Sequence, residues 1–155
     1  MDSVRTIIEG HKMIREIKSK DINKEYLQLL CQLSNREGQN VNFLIPDFAF
    51  WRDYAKNENH QIYVYEHEGS IIGTASILVE NKLLHYGSTV GHIEDVVVDR
   101  ESRLGGVGKQ LVSRCIEFAR AKECYKVILD CSDDNIPFYE SCGFTRTDNC
   151  MRIDL

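Results

Sequence analysis

Three glycines in four positions, Gly105, Gly106 and Gly108, follow the block IEDVVVDR. They precede a run with helical apolar spacing through Leu111, Val112, Cys115, Ile116 and Phe118. A strand that hands over to a helix through glycines exposes backbone N–H groups at the helix N-terminus. Their partial positive charge suits a phosphate or pyrophosphate. Arg103 and Lys109 add charge beside them. The alternative is a flexible connector. No GK[ST] follows, so the loop is not a P-loop, and GGVG is not the GxGxxG of a dinucleotide-binding turn.

A second set of residues could move protons. Glu94 and Asp95 stand inside one apolar run and Asp130 ends another. A carboxylate among apolar neighbours is costly unless paired, so each is either turned out to solvent or held there for a task. Tyr139, in NIPFYESCGF (135–144), is a phenol of ordinary pKa about 10 that could donate to a thiolate whose thiol lies near 8.5; otherwise it packs a short helix against a sheet. Asn135 comes one helical turn earlier and shares its face. Lys82 and His85 on one segment, with Lys126, are either solvated surface or an anion pocket. His85 and His92 lack a third residue at ligand spacing, so no metal is expected.

The elements that must position these groups alternate along the chain. VRTIIEG (4–10) has the pattern of a first strand. DINKEYLQLLCQLS (21–34) has apolar residues at Ile22, Tyr26, Leu29, Leu30 and Leu33, helical spacing with Asp21 as N-cap. A second helix is expected after Pro46, through Trp51 and Tyr54. QIYVYEHEGSIIGTASILVE (61–80) predicts two strands joined by a turn at Glu68-Gly69. HIEDVVV (92–98) is a fourth strand, followed by the glycine loop and a helix to about Lys122. YKVILDC (125–131) is apolar enough to predict a central strand. NIPFYESCGF is a short helix stopped by Gly143, and TRTDNCMRIDL (145–155) ends in one or two strands. The order, roughly βααβββαβαββ, describes an α/β domain: a largely antiparallel mixed sheet covered by helices.

Bulk properties agree with a single domain over residues 1–155. With 43% hydrophobic and 28% charged residues and a net charge of −5, the chain lacks the basic face of a nucleic-acid binder. No apolar run has the length of a membrane span, and MDSVRTIIEGHKM has no signal-peptide core. Six cysteines without a CxxC pair are expected in a reduced, cytosolic protein.

Arg103-Leu104-Gly105-Gly106-Val107-Gly108 matches Arg-x-x-Gly-x-Gly, and Asn135, Tyr139, Glu140, Gly143 and Phe144 follow in Asn-x-x-x-Tyr-Glu-x-x-Gly-Phe. In order and spacing, the run from Ile71 to Phe144 resembles the GNAT superfamily of N-acetyltransferases. Within it, GHIEDVVV (91–98), CYKVILDC (124–131), FYESCGF (138–144), KLLH (82–85) and LCQLS (30–34) resemble the glucosamine-6-phosphate N-acetyltransferase family of the hexosamine pathway to UDP-N-acetylglucosamine. The resemblance implies the GNAT fold and acetyl-CoA as cosubstrate. The reaction would be direct acetyl transfer to the 2-amine of glucosamine 6-phosphate in a ternary complex, by a cytoplasmic homodimer.

It also implies roles. Residues 103–109 and Asn135 would hold coenzyme A, its pantetheine arm pairing with the backbone of Val96, Val97 and Val98 where that strand splays from 125–131. The Val96 amide would face the thioester oxygen, and Tyr139 would protonate the thiolate. Glu94 and Asp95 would meet the sugar hydroxyls and amine, Asp130 the amine, and Ser34 the sugar. Lys82, His85 and Lys126 would form one phosphate pocket, with Tyr125 and Lys126 reaching across a dimer interface. One departure stands out: where the family carries a basic residue near the C-terminus this chain has Asp154, with Arg152 on the same strand face. An acetyltransferase for another small amine or a peptide, and a non-catalytic CoA-binding module, are the competing readings.

Overall fold

The computed structural model describes residues 12–33 and 48–155, so the strand expected at 4–10, Pro46 and Ser34 lie outside the described residues. The described chain begins with strand β1, Lys12–Glu16, and a 3-10 turn at Ser19–Asp21. Helix α1, Lys24–Cys31, follows. Its N-cap is Asn23, whose side chain accepts from the Tyr26 amide at 3.0 Å, and not Asp21 as expected. Both residues are good caps, but the Asp21 carboxylate is taken by Arg15 at 2.6 and 3.0 Å and by the Lys18 amide at 2.7 Å. Helix α2 spans Phe48–Lys56.

Strands β2, His60–His67, and β3, Ser70–Asn81, form the expected hairpin. Its two turn residues, Glu68 and Gly69, both have positive φ (50° and 79°), the backbone twist that suits a two-residue hairpin. A single turn, α3, Leu84–Gly87, winds left-handed at His85 and Tyr86. Strand β4, Thr89–Val98, leads through the glycine loop into α4, Val107–Ala121, and strand β5, Cys124–Ile128. A 3-10 turn at Asp133–Asn135 opens onto helix α5, Ile136–Ser141, after which Gly143 turns the chain at φ 95°.

Among the described residues the sheet runs β1-β2-β3-β4-β5, antiparallel throughout except for the parallel β4–β5 pair. The apolar run at 125–131 is therefore not central. β5 lies at the edge and ends at Ile128, with Tyr125 and Ile128 exposed. The tail 145–155 forms no strand, against expectation, and Met151, Ile153 and Leu155 are exposed. Its alternating apolar residues pair with no strand among the described residues.

Helix α4 carries the core. Val107, Leu111, Val112, Cys115 and Ala119 make one buried stripe at helical spacing. They pack on Tyr63, Tyr65, Ala75, Ile77 and Ile93, each large side chain contributing about 1.5–3 kcal/mol of burial. Two strand positions without side chains let helix and sheet approach. A Cβ on Gly73 would stand 2.9 Å from Val107 Cγ1, and one on Gly91 3.3 Å from Ala119 Cβ. This packing fixes the start of α4, and so the glycine loop, at the end of β4. On the other face Tyr26, Ile17 and Val64 form a smaller core with Trp51 and Tyr54.

Candidate active site

The parallel pairing of β4 with β5 stops at His92 opposite Ile128. Beyond it the two strands part, and β4 runs on to Val98 with an open side. The Asp99 amide donates to Ile72 O on β3 at 2.8 Å. Strand alternation then turns the N–H and C=O of Val97 toward β3, where Val97 pairs with Thr74, and those of Val96 and Val98 toward the opening. Of the three valines expected to offer backbone groups, Val96 and Val98 turn theirs toward the opening and Val97 turns its own toward β3.

A bulge sets the upper half of this edge. Thr74 pairs with Val97 but Ser76 pairs with Glu94, so β4 carries extra chain here, and Asp95 takes a left-handed φ of 52°. Ser76 Oγ donates to the Glu94 carbonyl at 3.1 Å and holds the bulge from β3. Strict alternation would put neighbours 94 and 95 on opposite faces. The bulge instead leaves the two carboxylates acting on each other: burial, then Asp95, then Asp130 push the Glu94 carboxyl above its ordinary range. Asp95 also acts on Tyr26 and on His60, beside α1 and α2. Asp130 accepts from the Cys150 thiol of the tail, which raises that thiol. Glu94, Asp95 and Asp130 thus act on one another's charge at one end of the opening, and the Glu94 carboxyl is the one raised there.

The loop closes the other end. Gly106 is the N-cap of α4, at φ 81° and with no side-chain cap, so the first amides of the helix point outward without a side-chain partner. A Cβ on Gly105 would meet nothing within 4 Å, whereas one on Gly108 would stand 3.1 Å from Phe138. Gly105 and Gly106 therefore fit close approach by a phosphate, and Gly108 is small because α5 packs on it. Lys109 is exposed, and Arg103 and Leu104 border a groove shared with His67, Ile72, Asp99 and Ser102. The chain's own groups fit a ligand with a pyrophosphate at one end and an extended amide-bearing arm at the other.

Tyr139 packs edge-on to Phe138 and Phe144, with ring centroids at 4.9 and 6.0 Å, and shares the α4 cluster with Val96, Val98 and Leu129. Burial pushes its phenol up to about 12, so it stays protonated at neutral pH. Asn135 is exposed at the start of α5.

The basic residues divide. Lys82 Nζ is held by Glu80 Oε1 at 2.6 Å, while His85 packs against Tyr125 at 4.4 Å and Lys126 Nζ lies 5.6 Å over the same ring. His85, Tyr125 and Lys126 thus stack together, while Lys82 pairs with Glu80, its neighbour two residues back. Arg152 is bound by Asp154 at 2.7 and 3.0 Å, so the tail offers no unpaired arginine there. Sequence reasoning passed over Glu80 and His92, whose side chains meet at 2.8 Å. The signal was the two-residue spacing that puts Glu80 beside Lys82 and His92 below Glu94.

A splayed β4, a bulge and a glycine-capped helix start define an acyl-CoA-dependent transferase site, and the Acetyltransferase (GNAT) family model matches residues 25–144. The chain belongs to that family. It is 45% identical over 95 residues to the glucosamine 6-phosphate N-acetyltransferase of Trypanosoma brucei brucei, an alignment covering 61% of this chain and 65% of the relative. It is 38% identical over 144 residues to a probable glucosamine 6-phosphate N-acetyltransferase 2 of Oryza sativa subsp. japonica, covering 90% and 86%. The crystal structure of glucosamine-6-phosphate N-acetyltransferase from Arabidopsis thaliana superposes with a TM-score of 0.82 at 36% identity, covering 92% of this chain and 97% of that one.

Proposed function

We propose that the protein transfers the acetyl group of acetyl-CoA to the 2-amine of glucosamine 6-phosphate, giving N-acetylglucosamine 6-phosphate and CoA. The observation that carries this reading is the end of β4–β5 pairing at His92/Ile128: it leaves a slot with outward amides at one end and three carboxylates at the other. Acetyl-CoA supplies an activated thioester, and the chain supplies the rest. The α4 amides, with Arg103 and Lys109, bind the pyrophosphate, and the backbone of Val96 and Val98 aligns the arm. The Val96 N–H meets the charge that develops on the thioester oxygen. Glu94, with Asp95 and Asp130, orients the amine and receives its proton. The nitrogen lone pair forms the C–N bond, the C–S bond breaks, and Tyr139 gives the departing sulfur its proton. The resulting phenolate takes up through solvent the proton that the attacking nitrogen loses on becoming an amide, which restores the phenol, and the product serves UDP-N-acetylglucosamine synthesis.

Phosphate is read by Lys82 and by the His85–Lys126 cluster. The functional unit is a homodimer, a reading supported by the large apolar side chains left exposed at Leu83 and Tyr86, on β5 at Tyr125, and in the tail at Met151 and Ile153. A second copy covering them would bring Tyr125 and Lys126 to its partner's slot. Six free cysteines fit a reducing cytosol. No helix among the described residues is long and apolar enough to cross a membrane.

The test is thiol release from acetyl-CoA with glucosamine 6-phosphate, glucosamine, spermidine and lysine in parallel. Turnover confined to the sugar phosphate supports the reading. Turnover of another amine alone replaces the substrate while keeping the transferase, and silence with all four overturns it.

A further inference from the structure

Glu80, near the end of β3, commits its two oxygens to different partners. Oε1 accepts from Lys82 Nζ at 2.6 Å, and Oε2 meets His92 Nε2 at 2.8 Å. His92 occupies the last β4–β5 pair, at the base of the opening. Glu94 follows two residues on, on the same face of β4, with the two Cα atoms about 7 Å apart by strand rise. The charge of His92 acts on Glu94. The groups facing this unit are Glu80 and Lys82 from the β3 side, Glu94 and Asp95 on β4, Lys126 on β5, Asp130 beyond it, and the Cys150 thiol bound to Asp130. The chain Lys82–Glu80–His92–Glu94 therefore runs from a phosphate-binding cation to the carboxyl at the amine.

We propose that His92, oriented by Glu80, is the proton relay that drains the amine proton from Glu94, and that Lys82 couples this relay to occupancy of the phosphate site. The inference rests on the reading of the previous subsection. The substrate ammonium gives its proton to the Glu94 carboxylate. Glu94 passes it through water to His92 Nδ1, the ring nitrogen left once Nε2 is on Glu80. The resulting imidazolium is stabilised by Glu80 and later returns the proton to solvent. The amine keeps its lone pair for attack, and no other bond changes. When a phosphate dianion draws Lys82 away, Glu80 loses one of its two cations and its charge falls on His92 alone. The undivided Glu80 charge faces the imidazolium only when the phosphorylated sugar is bound. The 6-phosphate is then read in the rate of the chemical step as well as in binding.

A purely structural role predicts little. Lys82, Glu80 and His92 side chains are 35%, 43% and 28% exposed, and partly exposed ion pairs contribute about 0–1 kcal/mol, so Glu80→Gln and His92→Gln should fold. Steady-state kinetics over a pH range on the wild type and both variants tests the proposal. Loss of a proton-transfer group predicts kcat about 100-fold lower in His92→Gln, with KM for glucosamine 6-phosphate within twofold. The acid limb of its pH profile should move relative to the wild type. Inorganic phosphate should speed the turnover of unphosphorylated glucosamine by the wild type and not by Glu80→Gln. A His92→Gln variant with wild-type kcat and an unmoved acid limb overturns the relay while the substrate assignment stands. So does a variant changed in KM alone. A wild type that leaves glucosamine 6-phosphate untouched overturns the assignment and the relay together.

Discussion

The ring of Phe138 lies 3.1 Å from the point where a Cβ on Gly108 would stand, so helix α5 is seated directly on the first turn of α4. Tyr139 is the next residue, and its ring is held between Phe138 and Phe144. Gly108→Ala therefore makes Phe138 give by a few tenths of an ångström, and Tyr139 moves with it, so the turnover rate should fall while the melting temperature changes little. Gly105→Ala meets open space and should leave the melting temperature unchanged while weakening acetyl-CoA binding. Thermal melts, turnover rates and acetyl-CoA titration of the two variants separate packing from ligand approach.

Tyr139→Phe keeps the ring contacts and removes the proton. Its kcat should drop about 100-fold with little change in KM for acetyl-CoA, since general acids contribute roughly that much. The phenol is active in its protonated form, and burial raises it to about 12. Activity should therefore show no alkaline loss traceable to Tyr139 below that value. An alkaline limb near 10 in the wild type that disappears in Tyr139→Phe would contradict this.

The buried pair Arg15–Asp21 governs acid stability. Arg15 also reaches Glu66 at 2.8 Å, and the guanidinium holds the Asp21 carboxyl below its ordinary range. A carboxyl lowered on folding stabilises the native state above its unfolded pKa, and that contribution disappears as pH falls through the folded value. The protein should accordingly lose this contribution only below the usual carboxylate range. Asp21→Ala takes one of the two carboxylates from a mostly buried guanidinium and the acceptor from the Lys18 amide, and should cost about 1–3 kcal/mol at neutral pH, less than that difference remaining in strong acid. Denaturant melts at neutral and acid pH measure both effects.

Much of this was legible from spacing alone, because strands, the Glu68-Gly69 turn and the α4 stripe are local patterns. What was not legible depends on residues far apart in the chain. Asp21 and Asn23 are equally good caps by type, and only Arg15 decides between them. An apolar run such as 125–131 cannot by itself tell a central strand from an edge strand. The bulge at Asp95 exists because Ser76 and Thr74 on β3 pair around it, and it brings Glu94 and Asp95 within reach of each other. The glycine loop was recognised as a unit, yet its members differ: Gly106 supplies the left-handed cap and Gly108 supplies room for Phe138.

The exposed side chains of the tail and α3 predict their own test. Met151 and Ile153 are 91% and 82% exposed, and Leu83 and Tyr86 are fully so. Charging the tail with Met151→Asp and Ile153→Asp should convert a dimer to a monomer in light scattering. Stability of the isolated protomer should change little, since neither residue is buried within it. Activity should fall with dimerisation, because Tyr125 and Lys126 then reach no neighbouring slot. A double variant that stays dimeric and active would place the interface elsewhere.

The alternation along β4 is the most direct structural claim about catalysis, and proline can test it one residue at a time. Val97 pairs with Thr74 on β3, so Val97→Pro deletes a ladder hydrogen bond inside the sheet and should destabilise by about 3 kcal/mol. The Val98 N–H turns toward the opening, where β5 no longer follows. Val98→Pro removes that donor while the β3 ladder keeps its bonds, including Asp99 N–H to Ile72 O. One hydrogen bond to the bound arm corresponds to about a tenfold loss of acetyl-CoA affinity. The expected pattern is an unstable Val97→Pro beside a stable Val98→Pro with weakened acetyl-CoA binding. The reverse pattern would mean that the strand offers Val97 to the slot, and the oxyanion role assigned to Val96 would then fall with it, since 96 and 98 share one side.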